Sequence, residues 1–327
     1  AWCCRRPNRS APPPLDEADM VHALAWSESL EIRERIKALR DEHLAPEGWG
    51  SLDDGTVLKV VKADTDVDLY DRSAEAVSLR IKEEPQRLDS AVRRLAQTAE
   101  LLRRLGVRSW SLVPYRLQPV LVAAALDGVM FADAVEDCVV DWFWLTTYGE
   151  MFAGLSGYRI AQALSDLRLA MQDGRVRWSG AKPLQLRGLP RATDFKNVRI
   201  KALALRLAQA QHDVAITPGD PFELLASYGR HALVGLLTTR RASRVSCSSP
   251  ANRFLCPPHE LTELRRRIFE GEIDPCLAQA HLIPQASVDA ARAGDWDRFV
   301  TGRRSFIEAQ ERAFVNKLLA KHEIKPG

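Results

Sequence analysis

Three residues carry side chains suited to cutting a phosphodiester bond: His281, Asn252 and Arg253. A histidine can act as general base for an attacking water, an asparagine oxygen can help to hold a divalent metal, and an arginine fork can steady phosphate. Together they would perform metal-assisted hydrolysis. That chemistry needs all three around one water and one phosphate, and a separation beyond about 10 Å would take the base out of reach of its water. Asn252 and Arg253 precede His281 in the chain, so only the tertiary fold can bring them to it. A divalent metal is expected on this reading alone.

Other constellations are weaker. Cys256-x-x-His259 and Cys276-x₄-His281 offer four ligands of the type that hold structural zinc. Pro257 and Pro258 fill the first gap and the second spacing is loose, whereas a zinc knuckle shows two tight pairs. The spacing therefore favours unrelated residues. The stretch from Gly149 to Ser156 has the glycine spacing of a phosphate loop but no lysine, and a helical segment precedes it. Its glycines are expected to end one helix and open the next. Arg240, Arg241, Arg244, Arg265 and Arg266 cluster in the C-terminal third, with Arg267, Arg303 and Arg304 nearby. Arginine forks suit phosphate oxygens, so DNA contact is an expectation. Glu260, Glu263, Glu270 and Glu272 dilute that charge. Trp142-Phe143-Trp144 could stack on bases. Consecutive helical residues point about 100° apart, so a core or interface role fits better.

The elements that must position these residues read as helices. Leu15 to Trp26 places Met20, Val21, Leu24 and Ala25 on one face, and a second helix is expected after Ser27 to about Glu42. Asp53-Asp54 is an N-cap signal for a helix over Thr56–Ala63. Pro85 suits the first turn of a helix ending near Leu105, with Gly106 as its stop. Leu88, Val92, Leu95, Ala99 and Leu102 recur at steps of three and four along it. Helices are also expected after Val113-Pro114-Tyr115, over Asp133–Phe152, Ser156–Gln172 and Phe195–Gln211, and in the C-terminal region. Arg175–Trp178 reads as a short strand, and no hairpin signal or fixed-period repeat is present. The expectation is an all-α fold, an irregular multi-helix bundle. It would have a proline-rich tail over residues 1–14, a helical domain over 15–216 and a helical subdomain over 217–327. The boundary falls at Thr217-Pro218-Gly219-Asp220-Pro221.

With 327 residues and 46% hydrophobic content, the chain can bury a sizeable core, and 27% charged residues exclude a disordered chain. A net charge of +3 permits nucleic acid without demanding it. Six cysteines over this length do not make a disulfide scaffold. The longest apolar run, Pro119–Met130, is interrupted by Asp127 and falls short of the roughly 18 residues that span a bilayer. No secretory signal is visible. These features predict a cytoplasmic chain without membrane contact.

Several segments together resemble the GmrSD-type modification-dependent restriction proteins. They are Leu15 to Val21 leading to Ala23-Leu24, Asp53 to Val60, Leu112-Val113-Pro114-Tyr115, Trp142-Phe143-Trp144, Ser249-Pro250-Ala251-Asn252-Arg253 and His281-Leu282-Ile283-Pro284. They occur in the family's order and cover most of the chain from residue 15. The resemblance implies a helical middle and C-terminal region that follows an N-terminal ParB-like nucleotidase domain. That domain's Asp-Gly-Gln-Gln-Arg-type motif has no match here. Arg6-Pro7-Asn8-Arg9-Ser10-Ala11 stands where an Arg-x-Asn-x-x-Gly-Thr turn would close it.

Related members end in an HNH-like nuclease with a His-Ile-x-Pro-Gln-like motif followed by an Asn. His281 to Gln285 copies the first part, and Asn316 is the one Asn downstream. The resemblance implies a DNA-defence role, as a truncated or accessory member that contacts DNA or a partner protein supplying the nucleotidase. A divergent nuclease using His281, and a helical interaction module with a bare apolar face around residues 15–30, are the alternatives.

Overall fold

The computed structural model describes residues 16–25, 31–64, 74–129, 133–154, 157–178, 180, 183–215 and 219–325. Among them the chain is all-α but for one two-stranded sheet. The tail over 1–14 and the segment 26–30 lie outside the described residues. The first helices are α1 (Glu17–Ala25), α2 (Ile32–Leu39, continued by a π-helical turn Arg40–Leu44), α3 (Asp54–Ala63) and α4 (Ala74–Glu83). Then come α5 (Gln86–Arg103), α6 (Leu117–Ala125), α7 (Asp133–Tyr148), α8 (Gly157–Asp173) and α9 (Val198–Val214). Beyond residue 218 are α10 (Pro221–Tyr228), β1 (Leu233–Gly235), α11 (Arg244–Ser248) and β2 (Arg253–Leu255). The chain ends in α12 (Leu261–Phe269), α13 (Pro275–Ala280), α14 (Gln285–Arg292) and α15 (Trp296–Lys321).

Local signals set several boundaries. The Asp53 carboxylate accepts the Thr56 N–H at 2.9 Å and caps α3, a contact worth about 1 kcal/mol. Pro85 occupies the cap position of α5, where a missing N–H costs no helical bond. The Leu88, Val92, Leu95, Ala99 and Leu102 stripe of α5 is wholly buried. Gly106 takes φ +83° after it, and a Cβ there would lie 2.2 Å from the Phe222 ring. Both the left-handed backbone and the close approach of Phe222 require glycine.

The core centres on α7. Trp142, Phe143 and Trp144 are all buried, because α8, α9 and α15 cover different sides of that helix. Trp144 packs edge-on to Phe314 of α15 at 5.7 Å. Packing runs across residue 218: α9 meets α10 and α13, and α15 meets α7, α14 and the turn at Pro250–Asn252. The expected boundary lies partly outside the described residues; just after it, the Asp220 carboxylate caps α10 by accepting the Phe222 N–H at 2.9 Å. Among the described residues no helix is long and apolar enough to cross a membrane.

Two local expectations change. Arg175–Trp178 forms no strand; the Val176 N–H donates instead to His322 Nδ1 at 3.1 Å. The strands that do form pair antiparallel, Leu233 with Leu255, Val234 with Phe254 and Gly235 with Arg253. Three residues are too few to display an alternating pattern, and the partners are joined by a long excursion rather than a tight turn.

Candidate functional site

Of the residues expected to hydrolyse phosphodiesters, His281 and Arg253 are linked through their backbone carbonyls by Arg303. The Arg303 guanidinium is wholly buried. It donates from Nε to the His281 carbonyl at 2.9 Å, and from Nη1 to the Ala251 and Arg253 carbonyls at 2.5 and 2.8 Å. It lies 3.9 Å over the Phe254 ring. One cation therefore ties α13, the Pro250–Asn252 turn, β2 and α15 together.

The side chains have other employment. The His281 ring is 4% exposed, packs 5.3 Å from Phe254, and places Nδ1 3.3 Å from Gln211 Nε2. Burial, then the nearby positive charges of Arg303 and Arg267, push its pKa down to about 3. It is thus neutral at pH 7 and sealed from solvent. The Asn252 oxygen accepts the Leu237 N–H at 2.8 Å, and its amide donates to the Leu237 and Cys247 carbonyls at 3.2 and 3.0 Å. That leaves little capacity for a metal. Cys256 is buried while His259 and Cys276 are exposed, and among the described residues no three His, Cys, Asp or Glu side chains gather as metal ligands.

The C-terminal arginines divide by partner. Arg265 donates to the Leu236 and Gly235 carbonyls at 2.9 and 2.8 Å and so holds the end of β1. Arg266 is ringed by Glu263, Glu270 and Glu272 at 2.8, 2.5 and 3.0 Å. Arg241 stacks 4.1 Å over Phe269. Arg240 and Arg244 are exposed.

A different cationic surface forms where distant elements converge. A cleft of about 740 Å³ is lined by Arg116, Lys196, Lys201, Arg230, His231 and Arg253, with Asp194 as the one acid among the described residues. Arg116 precedes α6, and Lys196 lies in the loop before α9. Lys201 is in the first turn of α9, Arg230 and His231 are in the 3₁₀ turn after α10, and Arg253 opens β2. The Asp194 carboxylate turns to the Lys196 backbone N–H at 2.9 Å. Arg116 meets Asp53 at 3.3 Å, but both are largely exposed, and such pairs hold weakly in water.

Two of the cations are partly withdrawn from solvent. Lys201 Nζ donates to the Val113 carbonyl at 2.7 Å and sits 6.0 Å from the Phe195 ring centroid. Burial, then Arg116, pulls its pKa down to about 8. Arg253 Nε donates to Thr193 Oγ1 at 3.1 Å, and burial lowers its pKa. Gly235 opposite makes room, since a Cβ there would lie 2.9 Å from Arg253 Nη1. Among the described residues neither cation has a carboxylate partner in the cleft. A half-buried cation without a counter-charge is held at a cost that a bound anion offsets.

A second cleft, between α1, α3 and α4, is by contrast lined by charges of both signs, several of them paired. Lys62 pairs with Glu17 at 2.9 Å, Arg33 with Asp19, and Asp54 with both Arg40 and His22 at 2.9 and 3.3 Å. Of the basic cleft, sequence reasoning found Arg253 alone. Arg116, Lys196, Lys201 and Arg230 stand singly along the chain, and no run or spacing marks them. Compared with family models, with curated proteins and with solved structures, the chain matches none of them.

Proposed function

We propose that this chain contacts DNA in a modification-dependent restriction system, with the basic cleft as its phosphate-binding surface. The observation that carries the reading is the convergence of Arg116, Lys196, Lys201, Arg230 and Arg253 on one cleft where, among the described residues, the single acid Asp194 accepts a backbone N–H. Guanidinium forks match phosphate oxygens, and the lysines add point charge. The GmrSD-like segments supply the link to DNA defence. A DNA-defence role would place the chain in the cytoplasm. No geometry favours cleavage through His281, whose ring is closed off. Nor does any favour a bare docking face on α1: Val21 and Ala25 are buried and Leu24 alone of its large apolar residues is notably exposed.

The test is duplex binding across a salt series, with and without a base modification, for the native chain and for Arg253→Ala and Lys196→Ala. Affinity should fall linearly on a log–log salt plot, and each substitution should flatten the slope by about 0.9 for every phosphate it leaves unneutralised. Binding that is absent at low salt, or a slope unmoved by both substitutions, would overturn the reading.

A further inference from the structure

We infer that Lys201 is an amine nucleophile for aldehydes carried on phosphate esters, and that it forms an imine with them in the basic cleft. The inference rests on the anion-binding reading of that cleft. Lys201 lines it from the first turn of α9. Its Nζ is anchored on a neutral group, the Val113 carbonyl, at 2.7 Å. The charged groups around it are Arg116 ahead of α6, Arg230 and His231 after α10, Arg253 on β2, and Lys196 and Asp194 before α9. One oxygen of Asp194 accepts the Lys196 backbone N–H. Among the described residues no carboxylate forms an ion pair with Lys201 Nζ, while burial and Arg116 disfavour the ammonium form.

An ordinary lysine, with pKa 10.5, carries little free amine at neutral pH, whereas at about 8 Lys201 carries on the order of 10²-fold more at pH 7. Desolvation beside a second cation is a general way to activate a lysine amine. Arg116, which disfavours the ammonium, would seat a phosphate together with Arg230 and Arg253, which places an attached aldehyde near Nζ. The amine lone pair forms the C–N bond, and the carbonyl π pair moves to oxygen, which takes a proton. The carbinolamine then loses water to leave the imine. Amine and aldehyde give imine and water, with no oxidant or reductant.

Two sources share this chemistry: a free phosphorylated aldehyde, and the ring-opened sugar aldehyde of an abasic site in DNA. In one arm the full chain is incubated with pyridoxal 5′-phosphate, reduced with borohydride and mapped by mass spectrometry. In the other it is mixed with a duplex holding one abasic site and trapped with cyanoborohydride. Lys201 should be labelled at pH 7 at least about tenfold faster than the exposed Lys317, with a pH midpoint near 8. The adduct should vanish in Lys201→Arg and weaken in Arg253→Ala. Labelling in the abasic arm assigns the aldehyde to DNA; labelling by the free compound alone assigns it to a small molecule. Labelling of Lys201 no faster than Lys317 in both arms, or adducts that survive Lys201→Arg, would overturn the inference. The native-chain map and pH profile suffice if the variant fails to fold. Intact-duplex binding is scored separately. Binding without Lys201 labelling rejects this inference alone, and labelling without binding rejects the DNA reading alone.

Discussion

Acid should loosen this fold through His281, and the size of the effect follows from its burial. In the folded chain the imidazole is sealed and its pKa is pushed from 6.5 to about 3. In the unfolded chain it titrates normally. The unfolded state therefore binds the proton that the folded state refuses. Stability that is full above pH 6.5 falls as pH drops, and goes on falling to about pH 3. Each pH unit in that window removes about 1.4 kcal/mol, so from pH 6.5 to 5 the loss is about 2 kcal/mol.

His281→Gln removes the titrating group and keeps a polar side chain beside Gln211. Urea unfolding of both proteins at pH 7.5, 6.5 and 5 isolates the contribution, because every other titrating group is common to the two. The native chain should lose about 2 kcal/mol more than the variant over the lower interval. Equal losses would mean that the ring is protonated in the folded state. It would then be open to solvent, and a general-base role would again be tenable.

Other outcomes follow from the same geometry. Arg303→Met leaves the His281, Ala251 and Arg253 carbonyls without their buried donor and should cost about 3–5 kcal/mol by urea denaturation. Gly106→Ala forces a Cβ into Phe222, whereas Gly128→Ala, also at positive φ, meets open space. The first should lower the melting temperature by several degrees more than the second. Burial pushes the Cys138 and Cys256 thiols up to about 12, while Cys276 is exposed. In the folded protein iodoacetamide should alkylate Cys276 well before either of them, as read by mass spectrometry.

The sequence alone determined what depends on neighbours a few residues apart. The buried stripe of α5, the Asp53 cap, the stop at Gly106 and the inward packing of Trp142-Phe143-Trp144 were all legible, because helical period and capping are local properties of the chain. It also marked the segments around Asn252 and His281. What only the tertiary structure decided is which charges are spent and which are left over. Arg265, Arg266 and Arg303 are alike in sequence, yet one holds a strand end, one is ringed by glutamates, and one lies buried among carbonyls. The three-residue strands and the basic cleft share the same cause. Their partners lie far apart along the chain, and pairing, burial and charge compensation are settled between residues that meet only after folding.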